Sequence, residues 1–142
     1  GYVITYGGCP IVWQSKMQTE IALSTTESEY LSLSACLRDV IVIQQLVLEE
    51  LTRKNFLGNK AEAVVKCTVF EDNKGCLEIA TAPKMRPRTR HIAIKYHHFR
   101  RHIAMKTITI KWVETNNQVA DQFTKGLPRE AFCRLRKMLM GW

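Results

Sequence analysis

Three short stretches of the 142-residue chain place carboxylates at the expected edges of secondary structure: T-E-S-E-Y at 26–30, V-F-E-D-N at 69–73 and Q-V-A-D-Q-F at 118–123. The chain has only three aspartates, Asp39, Asp72 and Asp121, and two of them fall in these stretches. A helix-borne glutamate joined by two aspartates from strand ends or loops is what a two-metal nuclease needs. In such a site, clustered carboxylates hold Mg²⁺ ions ~3.5–4 Å apart around a scissile phosphate. Phosphodiester hydrolysis is therefore the first chemistry these residues suggest, with Glu29, Asp72 and Asp121 as candidate ligands.

Each of the three also has an ordinary explanation. Thr26-x-x-Glu29 is a capping box, and so is Ser24-x-x-Glu27. Glu27 lies two residues from Glu29, roughly 200° round a helix, so both cannot serve one site. Asp72 directly follows a buried-type strand, where ligands of open α/β sheets gather, but it could equally be a helix N-cap or an Asx turn. Asp121, taken alone, reads as a surface aspartate. His98 and His102 stand four apart and could in principle bind zinc, yet no thiolate or carboxylate stands nearby in sequence. No cysteine sits in a nucleophile motif, and no Gly-rich phosphate loop is present.

The elements that must position these groups follow from periodicity. Residues 2–6 and 11–15 are β-rich and flank Gly7-Gly8-Cys9-Pro10, predicting a hairpin, and a strand at 18–23 would extend it into a meander. Ser24 opens a helix predicted to reach about Leu51, with Glu29, Leu33, Cys36, Val40, Ile43 and Val47 on one face. Residues 53–60 read as a loop, 64–70 as a buried strand and 74–81 as a short helix. Pro83 and Pro87 punctuate a basic linker before a helix at 91–104. A strand at 107–113, a short helix at 118–125 and an amphipathic helix from Arg129 complete an α/β layout with an antiparallel start.

The length suits one domain over 1–142, and 46% hydrophobic residues suffice for a core. A net charge of +8 favours a polyanionic partner. Between Lys84 and Lys111 lie nine Lys or Arg and no Asp or Glu, which points to nucleic acid. The five cysteines, without a C-x-x-C pair, read as reduced core residues of an intracellular protein. No span of ~20 apolar residues is apparent, so no membrane partner is expected. The chain opens on strand-like Gly1-Tyr2 without an initiator Met, as expected of a segment of a longer polyprotein.

Taken in order, these patches resemble the ribonuclease H domain of copia-type (Pseudoviridae) retrotransposon Pol polyproteins. The resemblance runs through Gly1-Tyr2-Val3, P-I-V-W-Q-S-K-M-Q at 10–18 and S-T-T-E-S-E-Y at 24–30, then E-D-N at 71–73. It continues in R-T-R-H-I-A-I-K-Y-H-H-F-R at 88–100, Q-V-A-D-Q-F-T-K-G-L-P at 118–128 and the tail from Phe132 to Gly141. It implies an RNase H-like mixed sheet, an antiparallel meander followed by parallel strands, with flanking helices. It also implies hydrolysis of RNA in an RNA–DNA hybrid by Mg²⁺ (or Mn²⁺) held by acidic residues. Glu29, Asp72 and Asp121 would be catalytic metal ligands, and Asn73, Arg86, Arg88, Arg90, Lys95, Arg100 and Arg101 would contact substrate. The implied partners are the hybrid and the reverse transcriptase domain of the same polyprotein. The implied location is the cytoplasm, in a virus-like particle, and the nucleus.

Two departures stand out. The family's first, central strand carries a fourth carboxylate in a D-W-A-G-type motif, which would precede Gly1; without it, little or no hydrolysis is expected. The aspartate of the family's H-I-D pattern is Ala93 here. The competing expectations are a non-catalytic nucleic-acid-binding remnant of a degenerate element and a relic that does not fold stably.

Overall fold

The computed structural model describes residues 1–19, 21–54, 65–82 and 97–142. Strands β1 (Tyr2–Tyr6) and β2 (Cys9–Gln14) form an antiparallel hairpin. Its two-residue turn uses Gly7 and Gly8, both at positive φ (58° and 84°), which suits the twist of the flanking strands and which residues bearing a Cβ rarely adopt. The register slips between Ile4 and Thr5, where Thr5 faces Pro10 while Ile4 faces Val12. Tyr2 and Ile4 alternate onto the buried face, and the Tyr2 hydroxyl donates to Asp39 on the following helix.

The expected strand at 18–23 is absent among the described residues. Its apolar side chains find no buried face, with Met17, Ile21 and Leu23 at least three-quarters exposed. The segment is instead tied to the next helix: Gln18 donates to the Ser28 carbonyl (2.7 Å) and accepts from the Ser28 hydroxyl (2.8 Å). A side-chain clamp has replaced a backbone ladder.

Helix α1 (Thr25–Arg53) is capped by Ser24, whose Oγ accepts from Glu27 N–H at 3.2 Å, while Glu27 reaches back to Leu23 N–H at 2.9 Å. Its buried residues, from Tyr30 to Val40, lie in its N-terminal half. By length and composition α1 could cross a membrane, although no span of ~20 consecutive apolar residues is present in the sequence. Tyr30, Leu33, Leu37 and Val40 nevertheless pack into the main core with Tyr2, Ile4, Cys76, Ala80, Phe99, Ile108 and Ile110. Gln44, which interrupts the apolar run, donates to the carbonyls of Val65 (2.8 Å) and Thr107 (3.1 Å), tying α1 to the entry of two strands.

Those strands are β3 (Cys67–Glu71) and β4 (Ile108–Trp112), paired in parallel from Cys67↔Ile108 to Glu71↔Trp112. Between them come helix α2 (Lys74–Thr81), capped by Asn73, and a short helix α3 (Arg100–Ala104). Gly75 lets α2 approach α1 closely, since a Cβ there would stand 3.0 Å from Thr26 Oγ1. After β4, two 3₁₀ turns (Thr115–Asn117 and Val119–Phe123) lead to helix α4 (Arg129–Met140). The helix foreseen at 118–125 is thus a tighter 3₁₀ turn, and of the helix foreseen at 91–104 the described part is α3 with a turn before it.

Among the described residues the fold is mixed α/β with two separate two-stranded sheets, β1–β2 antiparallel and β3–β4 parallel. All five cysteines are free; Cys36 and Cys76 are core residues as expected, but Cys9 and Cys133 are exposed.

Candidate functional site

Two of the ordinary explanations for the carboxylates are taken up by their neighbours. Capping of α1 falls to Ser24 and Glu27, while Thr26 turns its hydroxyl to Asn73 Oδ1 at 3.5 Å. Glu29 is left out of the cap. Likewise the N-cap of α2 is Asn73, whose Oδ1 accepts from Cys76 N–H at 2.9 Å, so Asp72 is not the cap either. Asn73, expected at the substrate, is engaged in joining the α1 and α2 N-termini.

Glu29, Asp72 and Asp121 line one open cleft together with Gly1–Thr5 of the first strand region and all of β3. Its floor is the α1 face bearing Leu33, Cys36 and Val40, and it holds about 180 Å³, room for several waters. Consecutive residues of both strands line it, so the cleft is bounded by strand edges; one face of a sheet would contribute alternate residues. Each of β1 and β3 pairs on one side only among the described residues. A Cβ on Gly1 would stand 2.7 Å from the Phe123 carbonyl. The start of β1 therefore lies beside the 3₁₀ turn that carries Asp121.

The carboxylates sense one another. Glu29 stands exposed at the rim, yet its pKa is raised by partial desolvation, then by the charge of Asp72 and less by Asp121, while Lys125 lowers it. Asp121 is held on its 3₁₀ turn, which Gln118 ties to β3 by donating to the Phe70 carbonyl at 3.2 Å. Its Oδ2 lies 2.7 Å from Lys125 Nζ.

Glu71 is a carboxyl of this cluster that sequence reasoning passed over. It is buried and accepts from Asn73 N–H at 3.0 Å. Burial first, then the charges of Glu29 and Asp72, push its pKa up to about 7 against that hydrogen bond. Alternation was the available signal: Cys67, Val69 and Glu71 share one face of β3.

An all-carboxylate donor set suits a hard cation such as Mg²⁺, which keeps several waters and needs only one or two protein carboxylates. The cleft supplies those donors and the space for water. Among the described residues, no three His, Cys, Asp or Glu side chains converge on one point. The site is gathered but not closed. His98 precedes α3, stacking edge-on against Phe99, while His102 lies on that helix, so the two do not share a helical face.

Of the basic residues, Arg100 is turned inward, donating to the carbonyls of Ile79 (3.3 Å) and Ala82 at the end of α2. It closes a helix end where a phosphate contact was expected. Arg101 is exposed. Arg86, Arg88, Arg90 and Lys95, with Ala93, lie outside the described residues. Tyr30, fully buried, bonds its hydroxyl to His97 Nδ1 at 2.6 Å, and burial raises its pKa to about 12.

The chain is 33% identical over 142 residues to the retrovirus-related Pol polyprotein from transposon TNT 1-94 of Nicotiana tabacum, an alignment covering 99% of this chain and 10% of that polyprotein. It is 34% identical over 135 residues to the corresponding polyprotein from transposon RE1 of Arabidopsis thaliana, and 33% over 134 residues to that from RE2. Each of these alignments covers 93% of this chain and 8% of the polyprotein. The chain therefore spans about a tenth or less of the length of these relatives and is homologous to one segment of them. No family model and no solved structure matches it.

Proposed function

We propose, from its homology to one segment of transposon Pol polyproteins, that this chain is the ribonuclease H domain of a copia-type element, cutting the RNA strand of RNA–DNA hybrids. The observation that carries this reading is the convergence of Glu29, Asp72 and Asp121, from three separate elements, on one cleft. Those three residues would hold Mg²⁺ or Mn²⁺. When bound, the cation supplies an activated water and stabilises the leaving oxygen. The protein groups orient the substrate and shield the site: Arg101 and the basic run follow phosphates, and apolar α1 closes the floor. In this reading the edges of β1 and β3 that bound the cleft could accept one further strand, and a fourth carboxylate carried on it would complete the set at the open end. The reverse transcriptase domain of the same polyprotein is the natural neighbour that delivers the hybrid.

A labelled RNA–DNA hybrid tests this, incubated with Mg²⁺ or Mn²⁺ and the chain, both as it stands and joined to the segment that precedes the matching region in the transposon TNT 1-94 polyprotein. The expected result is cleavage that is weak in the first and strong in the second, abolished by Asp72→Asn with binding retained. A second reading, a nucleic-acid binder without catalysis, is favoured by the net charge of +8 and by carboxylates that do not close on a point. Salt-sensitive binding indifferent to Asp72, without cleavage by either form, would establish that reading and remove the enzyme.

A further inference from the structure

The Lys125–Asp121 ion pair has no task in the reading above. Its ammonium lies 2.7 Å from Asp121 Oδ2, with the lysine side chain 53% exposed and the aspartate only 15%. The Lys125 N–H also donates to the Asp121 carbonyl at 3.2 Å, and the Thr124 hydroxyl to the same oxygen at 3.0 Å. That turn pins the root of the lysine beside its partner. The influence of the charge extends past Asp121: it lowers the pKa of Glu29, and Lys125 itself is stabilised as a cation by Asp121 first, then by Asp72 and Glu29. One positive side chain therefore serves carboxylates from three elements.

We propose that Lys125 is the resident counter-ion of this cluster, and that its ammonium and a divalent cation compete for Asp121. The proposal rests on the reading of the cluster as a cation site and adds what that site must give up. A cation takes the Oδ2 lone pairs only when the ammonium leaves them. Lysine suits such an exchange, because its charge rides on a flexible four-carbon stem that can swing into water. The ion pair then holds three like charges together while no metal is present, and tunes how readily a metal displaces it.

Mn²⁺ uptake by the whole chain, followed by loss of the free-ion paramagnetic resonance signal, decides the matter. The proteins compared are the wild type, Lys125→Gln, Asp121→Asn and Lys137→Gln, the last at an exposed lysine on α4. Lys125→Gln is expected to bind Mn²⁺ roughly three- to tenfold more tightly. A half-exposed ion pair no longer has to break, and a positive charge no longer repels the ion. Asp121→Asn is expected to bind more weakly and Lys137→Gln as the wild type does. Without metal, Lys125→Gln melts at a lower temperature than the wild type, and Mn²⁺ restores the difference. Wild-type uptake that Lys125→Gln leaves unchanged or weakens overturns the competition while leaving the cluster a cation site. Uptake by neither protein overturns both the competition and the reading it rests on.

Discussion

Replacing Glu71 by glutamine is expected to stabilise the protein at alkaline pH and to leave it unchanged near pH 4. The residue is 6% exposed, accepts the Asn73 N–H, and has its carboxyl moved from 4.5 to about 7, chiefly by burial. A carboxyl whose folded pKa lies above its unfolded value binds its proton more tightly in the native state. Its contribution is fully present below about pH 4.5 and is lost as pH rises through about 7. A tenfold change in proton affinity corresponds to about 1.4 kcal/mol, so the full move sets a ceiling on the order of 3 kcal/mol above pH 8. Water at the mouth of the cleft and relaxation around the charge reduce this to about 1–2 kcal/mol. Glutamine keeps an oxygen for the Asn73 N–H and carries no charge at any pH. Thermal unfolding of the wild type and Glu71→Gln in chelator, at pH 4, 6 and 8.5, is therefore expected to give coincident curves at pH 4. At pH 8.5 the variant is expected to melt about 4–8 °C higher. An offset that is constant with pH, or one that favours the wild type as pH rises, would show that the charged carboxylate is well solvated and that the reasoning from burial fails.

Other expectations concern the frame around the cleft. Leu37 is fully buried in the core, and Leu37→Ala is expected to lower unfolding free energy by about 2–5 kcal/mol in urea titration. Ser24→Ala removes the acceptor for the Glu27 N–H and is expected to cost about 1 kcal/mol. If Thr26 and Glu29 took over the cap, the loss would be near zero.

Much of this architecture was legible from local patterns. The hairpin followed from Gly7-Gly8 between β-rich runs, and α1 from the spacing of Leu33, Cys36 and Val40. Strands β3 and β4, helix α2 and helix α4 followed from their periodicities and punctuation. The failure at 18–23 is instructive: Q-T-E-I-A-L stands where a third strand would extend the hairpin into a meander, but a strand needs a neighbour's ladder, and Gln18 found Ser28 instead. Which of two overlapping capping boxes forms was likewise open in the sequence. It was settled by packing, because Thr26 lies against Asn73 and Gly75 of another helix. The lysine opposite Asp121 had a signal in its spacing of four residues. The buried glutamate beside Asp72 had one in its strand face. Both were hidden because residues adjoining a motif are read as its punctuation. Arg100 carries a different lesson: a run of like charge suggests one common partner, whereas an arginine near a helix end also satisfies carbonyls.

The two half-sheets have a consequence for the material in a tube. An uncapped strand edge is a template for any extended peptide, including the same edge on another molecule. Opposing this is the charge of +8, which keeps copies apart while it is unscreened. Solubility should therefore fall as salt rises, with β1 or β3 edges pairing between molecules, even though the same salt weakens any hold on nucleic acid. A peptide of strand length that occupies the cleft would reverse this, turning a salt-sensitive colloid into a well-behaved monomer.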